Sequence, residues 1–474
     1  MEDKPLTRLH FIGIGGVGMS GIARVAHDQG IKVSGSDLKE SRYTKQLREA
    51  GIDVFIGHSP DNIPAGDPVV VVSTAILDNN PEYRAAKERG LQLWHRAQML
   101  ARLGEGLETL AVAGTHGKTT TSSMLASTLH EMGEDPTFLI GGIVRSFGTN
   151  AHSGTGSAYV VEADESDKSF RHLSPSAVLV TNIEADHLDH YRDLDEIYEK
   201  FSAFIASVPE RSGVVVVCGE DPALVRIARA AGRTLFTYGF GADCDIVVRG
   251  FAAEGVGSRF LVQLPDGQAV PVSLRQNPGI HNALNAAGVV GLLWAKGFDP
   301  VAAASALSTF AGVRRRFDLV GKADGVTIVD DYAHHPTEIA ATIKAASGLG
   351  YNRIHVVFQP HRYSRVGLFT DVLRDEFACA FDNADLLTFM DVYSAGEAPV
   401  PGVSGKTFLS VVLDHEGCPE AHYVPRRIEL AGALAAQACP GDLIITMGAG
   451  DVTAVGPELL DVLAAREAAR NRAE

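Results

Sequence analysis

The stretch Leu110–Thr121, Leu-Ala-Val-Ala-Gly-Thr-His-Gly-Lys-Thr-Thr-Thr, constrains this chain more than any other. An apolar run suited to a buried strand ends at Gly114. A glycine-bracketed loop follows, and then Met124, Leu125, Leu129 and Met132 recur at helical spacing. Strand, tight loop, Lys118-Thr119 and helix make a phosphate cradle. Loop amides and a helix N-terminus supply partial positive charge, the lysine a full one, and a hydroxyl can hold Mg²⁺. The usual motif has a longer loop. Here Gly114 and Gly117 enclose only Thr115 and His116, and Val112 stands where the first glycine would be. The competing reading is a glycine-rich turn with a surface lysine.

Length and composition narrow what can surround such a loop. A chain of 474 residues has room for about three domains. With 45% apolar and 21% charged residues it has the balance of a soluble protein, and runs such as Val69–Val72 and Val214–Cys218 are too short to span a bilayer. No basic segment followed by an apolar core opens the chain, so no secretory signal is expected. Five cysteines with no CxxC pair predict free thiols in a reducing cytoplasm, not disulfides or a zinc site. A net charge of −16 argues against general nucleic-acid binding, although local basic loops can still hold anions.

In chain order, an alternating strand from Arg8 to Ile14 runs into Gly13-Ile-Gly15-Gly16-Val-Gly18, with a helix expected from about Ser20 and a strand Lys32–Ser36 ending on Asp37. That is the spacing of a dinucleotide fingerprint, and by itself it suggests an NAD-dependent dehydrogenase; any nucleotide diphosphate fits the same fold end. A further strand leads into Ser73-Thr74, and Leu103-Gly104-Glu105-Gly106 reads as a linker closing a first doubly wound domain over residues 1–105. Beyond the phosphate loop, apolar residues lead into Glu162-Ala-Asp164-Glu165-Ser-Asp167. Another buried strand ends in Glu184-Ala-Asp186-His187-Leu-Asp189-His190. Carboxylates and imidazoles at strand C-termini are candidate Mg²⁺ ligands, a solvated charged loop being the alternative. Residues 245–274 read as strands and turns, a small antiparallel addition. His281, Asn282 and Asn285 open a helix, where asparagine can either cap or read an adenine edge. Arg314-Arg315-Arg316 is a basic run in an acidic chain. From Phe317 a third α/β segment sets Asp330-Asp331-Tyr332-Ala-His334-His335-Pro336 and His361-Arg362-Tyr363-Ser364-Arg365 after strands.

These motifs, in this order and over nearly the whole chain, resemble the Mur ligases of bacterial cell-wall synthesis. The short phosphate loop is that family's own form. The resemblance implies an α/β, three-domain architecture: a Rossmann-like UDP-sugar domain (1–105), a central P-loop ATPase domain (106–312) and a Rossmann-like amino-acid domain (313–474). It implies ATP with two Mg²⁺ ions, and UDP-N-acetylmuramate and L-alanine as substrates. It implies neither nucleic acid nor membrane insertion, and a monomer or weak homodimer in the cytoplasm.

Carried over by motif, Gly15, Gly16, Gly18, Asp37, Ser73 and Thr74 would hold the UDP sugar. Gly114, Thr115, His116, Gly117, Lys118, Thr119 and Thr120 would cradle ATP, with Lys118 on the β- and γ-phosphates. Asn282 and Asn285 would read adenine and Arg316 would meet phosphate. Thr119 would ligate one Mg²⁺, and Glu162 and His187 the other. Asp331 and His334 would face both ATP and the amino acid, and Tyr332, His361, Arg362 and Arg365 would bind alanine. Some relatives carry a carbamylated lysine; Lys200 is nearby in sequence but is not identified as its counterpart. Gly15-Gly16-Val-Gly18-Met-Ser-Gly21 favours the alanine enzyme over a murein-tripeptide ligase. An oxidoreductase or a non-catalytic nucleotide-binding regulator would leave Lys118 and the carboxylates unexplained.

Overall fold

The computed structural model describes residues 6–165, 169–184 and 191–473. The chain forms two compact units. The first comprises residues 1–250, 260–273 and 284–310, the second 251–259, 274–283 and 311–474.

The first unit opens with β1 (Arg8–Ile12), β2 (Lys32–Asp37), β3 (Asp53–Ile56), β4 (Val69–Val72) and β5 (Leu93–His95), in the order β3-β2-β1-β4-β5. Every pairing is parallel, which places all strand C-termini along one edge. Its helices start where the sequence supplies caps: Ser41 forms a capping box for Arg42–Glu49, and Asn80 accepts the amides of Glu82 and Tyr83 ahead of a proline. The helix expected near Ser20 begins earlier, at Val17, with Gly16 as its N-cap, so the glycine loop lies at the helix mouth.

The central sheet contains β6 (Glu108–Ala113), β7 (Thr137–Val144), β8 (Thr149–His152), β9 (Ala158–Glu162), β10 (Ala177–Val180), β11 (Val214–Cys218), β12 (Thr234–Gly239), β13 (Ile246–Glu254), β14 (Gly257–Gln263) and β15 (Ala269–Leu274). Its order is β15-β14-β13-β12-β11-β10-β6-β9-β7-β8, so the strands expected over 245–274 extend the sheet at one edge. The helix Lys118–Glu131 packs on β6, β7, β9 and the helix Pro300–Leu307, and every residue from Thr119 to Leu129 is buried. One apolar face was expected; from Thr119 the helix is buried all round until its last two residues, His130 and Glu131. Two of its buried hydroxyls turn back on the helix: Ser122 Oγ donates to the Lys118 carbonyl at 2.8 Å and Ser123 Oγ to that of Thr119 at 2.6 Å.

The first two sheets share one apolar core, in which Leu9, Phe11, Met99 and Leu103 meet Leu139, Tyr159 and Val161. Tyr159 is fully buried, and its hydroxyl donates to the Leu100 carbonyl at 2.9 Å. Gly104, in the expected linker, lies so close to that ring that a Cβ would sit 2.4 Å from Tyr159 Cδ1. The linker is therefore packed in place and is no loose joint.

The second unit carries β16 (Asp318–Ala323), β17 (Val326–Asp331), β18 (Ile354–Phe358), β19 (Leu386–Phe389), β20 (Glu420–Tyr423) and β21 (Leu443–Met447), ordered β16-β17-β21-β18-β19-β20. Only β16 runs antiparallel to its neighbour. A phenylalanine cluster fills one face: Phe369 stacks on Phe377 at 5.0 Å, and Phe358 meets Phe381 edge-on at 5.4 Å. Such pairs add about 0.5–1.5 kcal/mol beyond the area they bury.

Candidate functional site

At the first sheet's edge, the amides of Gly13 and Ile14 donate to the Ser36 carbonyl at 2.8 and 2.9 Å. Gly15 N–H donates to Asp37 Oδ2 at 2.9 Å, so Asp37 also holds the loop. A Cβ on Gly15 would lie 2.9 Å from that oxygen, and one on Gly18 would lie 2.6 Å from Arg96 Nη1. Sequence reasoning passed over Arg96, which the close approach at Gly18 brings to the loop. Ser73 and Thr74 follow β4 at the same edge, Thr74 exposed.

The phosphate loop joins β6 to the helix Lys118–Glu131. Gly114 has φ +134°, and a Cβ there would fall 2.1 Å from Thr181 Oγ1; Gly117 has φ +83° and lies against the Asn285 amide. The loop is clipped to the end of β10. Thr115 N–H donates to the Asn182 carbonyl at 2.9 Å and His116 N–H to Asn182 Oδ1 at 2.8 Å, while Thr115 Oγ1 accepts the Glu184 amide at 2.8 Å. Asn182 gave no signal in the sequence, because it belongs to no motif.

Lys118 Nζ pairs with Glu165 Oε1 at 2.9 Å and donates to the Thr115 carbonyl at 3.0 Å. Burial of this ammonium is outweighed by Glu165, Asp164 and Glu162, which hold its pKa above the ordinary lysine range. Burial pushes Glu165 up to about 7 against the pull of Lys118, and it raises Glu162 as well. Thr119 Oγ1 donates to Glu162 Oε1 at 2.9 Å, and Gly141 N–H donates to its other oxygen at 2.6 Å. Thr120, next on the helix, is buried. Lys118, Thr119, Glu162 and Glu165 are thus brought together. His187, with Asp167, Asp186, Asp189 and His190, lies outside the described residues.

In the second unit, Asn282 Nδ2 donates to the Pro278 carbonyl at 2.8 Å, which commits one of its donors to the helix start. The basic run divides. Arg314 is exposed, Arg316 Nη1 lies 3.7 Å from Glu338, and Arg315 Nη2 donates to the Gly448 and Gly450 carbonyls at 2.6 and 3.1 Å. Asp331 is buried at the end of β17 and accepts the amides of Phe317 and Ala333 at 2.7 and 2.8 Å. Burial raises it to about 6, against the pull of Arg316. The guanidinium groups of Arg315 and Arg316 sit 4.8 and 5.2 Å from the Tyr332 ring centre. His334 Nδ1 lies 3.0 Å from the Tyr332 carbonyl and 3.4 Å from Glu338.

After β18, Arg362 takes a left-handed φ of +71° and Glu397 accepts both the amide and hydroxyl of Ser364, at 3.0 and 2.6 Å, fixing the turn that carries Arg365. His361 stacks on Tyr393 at 5.8 Å and meets the His334 ring at 6.0 Å. Burial, then the neighbouring His334, Arg365 and Arg362, lower its pKa to about 3, so it is a neutral imidazole. Tyr393 and Glu397 were not legible in the sequence, since they reach this turn from a later loop.

Residues 8–106 match the family model described as Mur ligase family, catalytic domain. Residues 112–293 match the Mur ligase middle domain and 315–450 the Mur ligase, glutamate ligase domain. The chain belongs to the Mur ligase family. It is 43% identical over 475 residues to a UDP-N-acetylmuramate–L-alanine ligase of Thermobifida fusca, with 98% of each chain covered. The crystal structure of a UDP-N-acetylmuramate-alanine ligase from Thermotoga maritima superposes with a TM-score of 0.80 at 29% identity, covering 97% of this chain and 99% of that one. A murein peptide ligase from Psychrobacter arcticus gives 0.71 at 25% identity, covering 97% and 99%. As a Mur ligase the chain is an α/β ligase that uses a nucleotide. No helix among the described residues is long and apolar enough to cross a membrane.

Proposed function

We propose that this ligase joins L-alanine to the lactyl carboxylate of UDP-N-acetylmuramate, with ATP converted to ADP and phosphate, as a cytoplasmic step of peptidoglycan precursor synthesis. The observation that carries the chemistry is the buried cluster Lys118–Glu165 and Thr119–Glu162 at the end of a glycine loop. Full-length similarity to alanine ligases carries the substrate. Residues 1–105 would receive the UDP sugar, 106–312 ATP, and 313–474 the amino acid.

The residues present fit ATP with Mg²⁺. The buried Lys118 ammonium and Thr119 hydroxyl at the start of the helix Lys118–Glu131 suit phosphate oxygens, and Glu162, a carboxylate whose ionisation burial disfavours, gains from a hard cation beside it. Thr119 and Glu162 would hold the ion, with His187 assigned to the second one by motif. Bound there, ATP supplies a transferable phosphoryl group that turns the lactyl carboxylate into an acyl phosphate, from which phosphate leaves readily. Lys118 meets the negative charge that develops on that group, and Glu165 fixes where its ammonium points. Arg365 binds the alanine carboxylate in a bidentate manner beside the neutral His361 and Tyr332. Attack requires a neutral amine, and Asp331, near 6 and tied to two amides, sits at the strand end next to these groups.

The likeness to the murein peptide ligase makes tripeptide addition to the same sugar the second reading. Phosphate release with UDP-N-acetylmuramate, ATP and Mg²⁺ separates the two when L-alanine, other L-amino acids and the tripeptide are supplied in turn. Preference for L-alanine is expected; preference for the tripeptide would overturn the proposal.

A further inference from the structure

The run Gly15-Gly16-Val17-Gly18-Met19-Ser20-Gly21 ends on a glycine that lies beyond the fingerprint itself. Gly21 sits inside the helix Val17–Asp28, where alanine would be the better helix former. What glycine gives there is room. A Cβ would meet Ala151 Cβ and Leu139 Cδ2 at 3.1 Å and Asn150 Nδ2 at 3.2 Å, so the helix presses closely on β7 and β8.

Asn150 occupies that contact. It is buried, and its Nδ2 donates to the Val17 carbonyl at 3.2 Å and to the Ile140 carbonyl at 3.4 Å. Both neighbours are carbonyl oxygens, so the position calls for a side chain with two N–H donors. Ile140 belongs to an irregular stretch of β7, whose pairing with β8 runs Leu139 to Ala151 and resumes only at Val144 with Thr149. Within that irregularity Gly141 turns its amide to Glu162 Oε2 at 2.6 Å. One side chain thus ties a residue of the first glycine loop to the stretch of strand that holds Glu162.

We propose that Asn150 is a positioning residue: it fixes the UDP-sugar loop relative to Glu162, and so sets how the lactyl carboxylate approaches the transferable phosphoryl group. Resting on the ligase reaction proposed above, this role belongs to acyl-phosphate formation, the half that alanine and tripeptide addition share. Loss of the donor should misplace the bound sugar without releasing it, because the glycine loop and Asp37 remain in place. A displacement of about 1 Å at a reacting centre can cost roughly 10²-fold in rate. Asn150 gave no signal in the sequence because both of its partners are main-chain carbonyls, one of them far away in the chain.

Asn150→Asp keeps the size of the side chain and turns a carboxylate on the two carbonyls. In the full-length protein, the dissociation constants for UDP-N-acetylmuramate and a non-hydrolysable ATP analogue should stay within about 3-fold of the parent, while kcat for phosphate release falls by roughly 10–100-fold. Gly21→Ala forces the same contact apart while favouring the helix, and carries the test if Asn150→Asp does not fold. It too should lower kcat, and the double variant should lose less than the product of the two losses. With neither ATP nor Mg²⁺ present, UDP-N-acetylmuramate should slow hydrogen exchange across residues 137–144 in the parent and not in the variants. A kcat near the parent's in both folded variants, a loss confined to either dissociation constant, or equal protection of 137–144 in parent and variants would each overturn the proposal. Tripeptide preference in the parent would overturn the acceptor named above, and the ratio of variant to parent would still decide the role of Asn150.

Discussion

In the proposed reaction, Lys118 is the residue on which the chemistry turns. It is buried, charged, and held by three carboxylates. Lys118→Ala should lower ATP-dependent phosphate release by roughly 10²–10³-fold with the far-ultraviolet dichroism unchanged; activity within a few-fold of the parent would remove it from the mechanism. Arg365→Ala should raise the KM for alanine and leave nucleotide affinity nearly intact, as read by separate titrations. A fall in nucleotide affinity would move Arg365 to the ATP site. A third residue acts through stability alone. His355 is buried beside Thr388 Oγ1 at 2.8 Å, and burial lowers its pKa from the usual 6.5 to about 4. The folded state resists protonation that the unfolded chain accepts. Stability contributed by the neutral ring is therefore lost as pH falls from about 6.5 toward 4, at most by about 3 kcal/mol. His355→Gln, which takes up no proton, should flatten that acid limb in urea melts at stepped pH.

At the scale of elements, the phosphate loop is shaped by what glycine permits. Gly114→Ala would force φ +134° on a residue with a Cβ 2.1 Å from Thr181 Oγ1. Binding of a fluorescent ATP analogue should fall at least tenfold, and unchanged affinity would show that the loop has other conformations open to it. The loop was legible in the sequence because strand, glycines, lysine and helix are contiguous. The parallel strands β1, β4, β6, β11, β18 and β21 were legible too, as short apolar runs ending in polar or glycine residues. Less so was β7, whose Gly141-Gly142 interrupts it, or β20, Glu-Ala-His-Tyr, a polar strand at a sheet edge. Glu165 stood in view within the acidic cluster, yet only folding could show that it pairs with Lys118. Asn182, Tyr393 and Glu397 act on loops remote in sequence, and spacing carries no record of such contacts. Within Arg314-Arg315-Arg316, one residue faces solvent, one clamps the Gly448 loop and one faces Glu338; composition alone could not have divided them.

For the molecule as a whole, the decisive feature is the core shared by the first two sheets. Tyr159→Ala removes a fully buried ring and the donor to the Leu100 carbonyl, and should cost about 3–5 kcal/mol. In pulse proteolysis, cleavage within residues 6–103 and within β6–β9 should accelerate together. Acceleration in one alone would mean that the two sheets unfold independently. The same packing limits how such a chain can be recombined. A crossover near residue 105 looks natural in the sequence, with its Gly104-Glu105-Gly106, but it would pair one parent's Met99 and Leu103 with another's Leu139, Tyr159 and Val161. Hybrids of related ligases joined there should inherit a mismatched interior, and a donor segment would have to bring β7 and β9 with it to arrive whole.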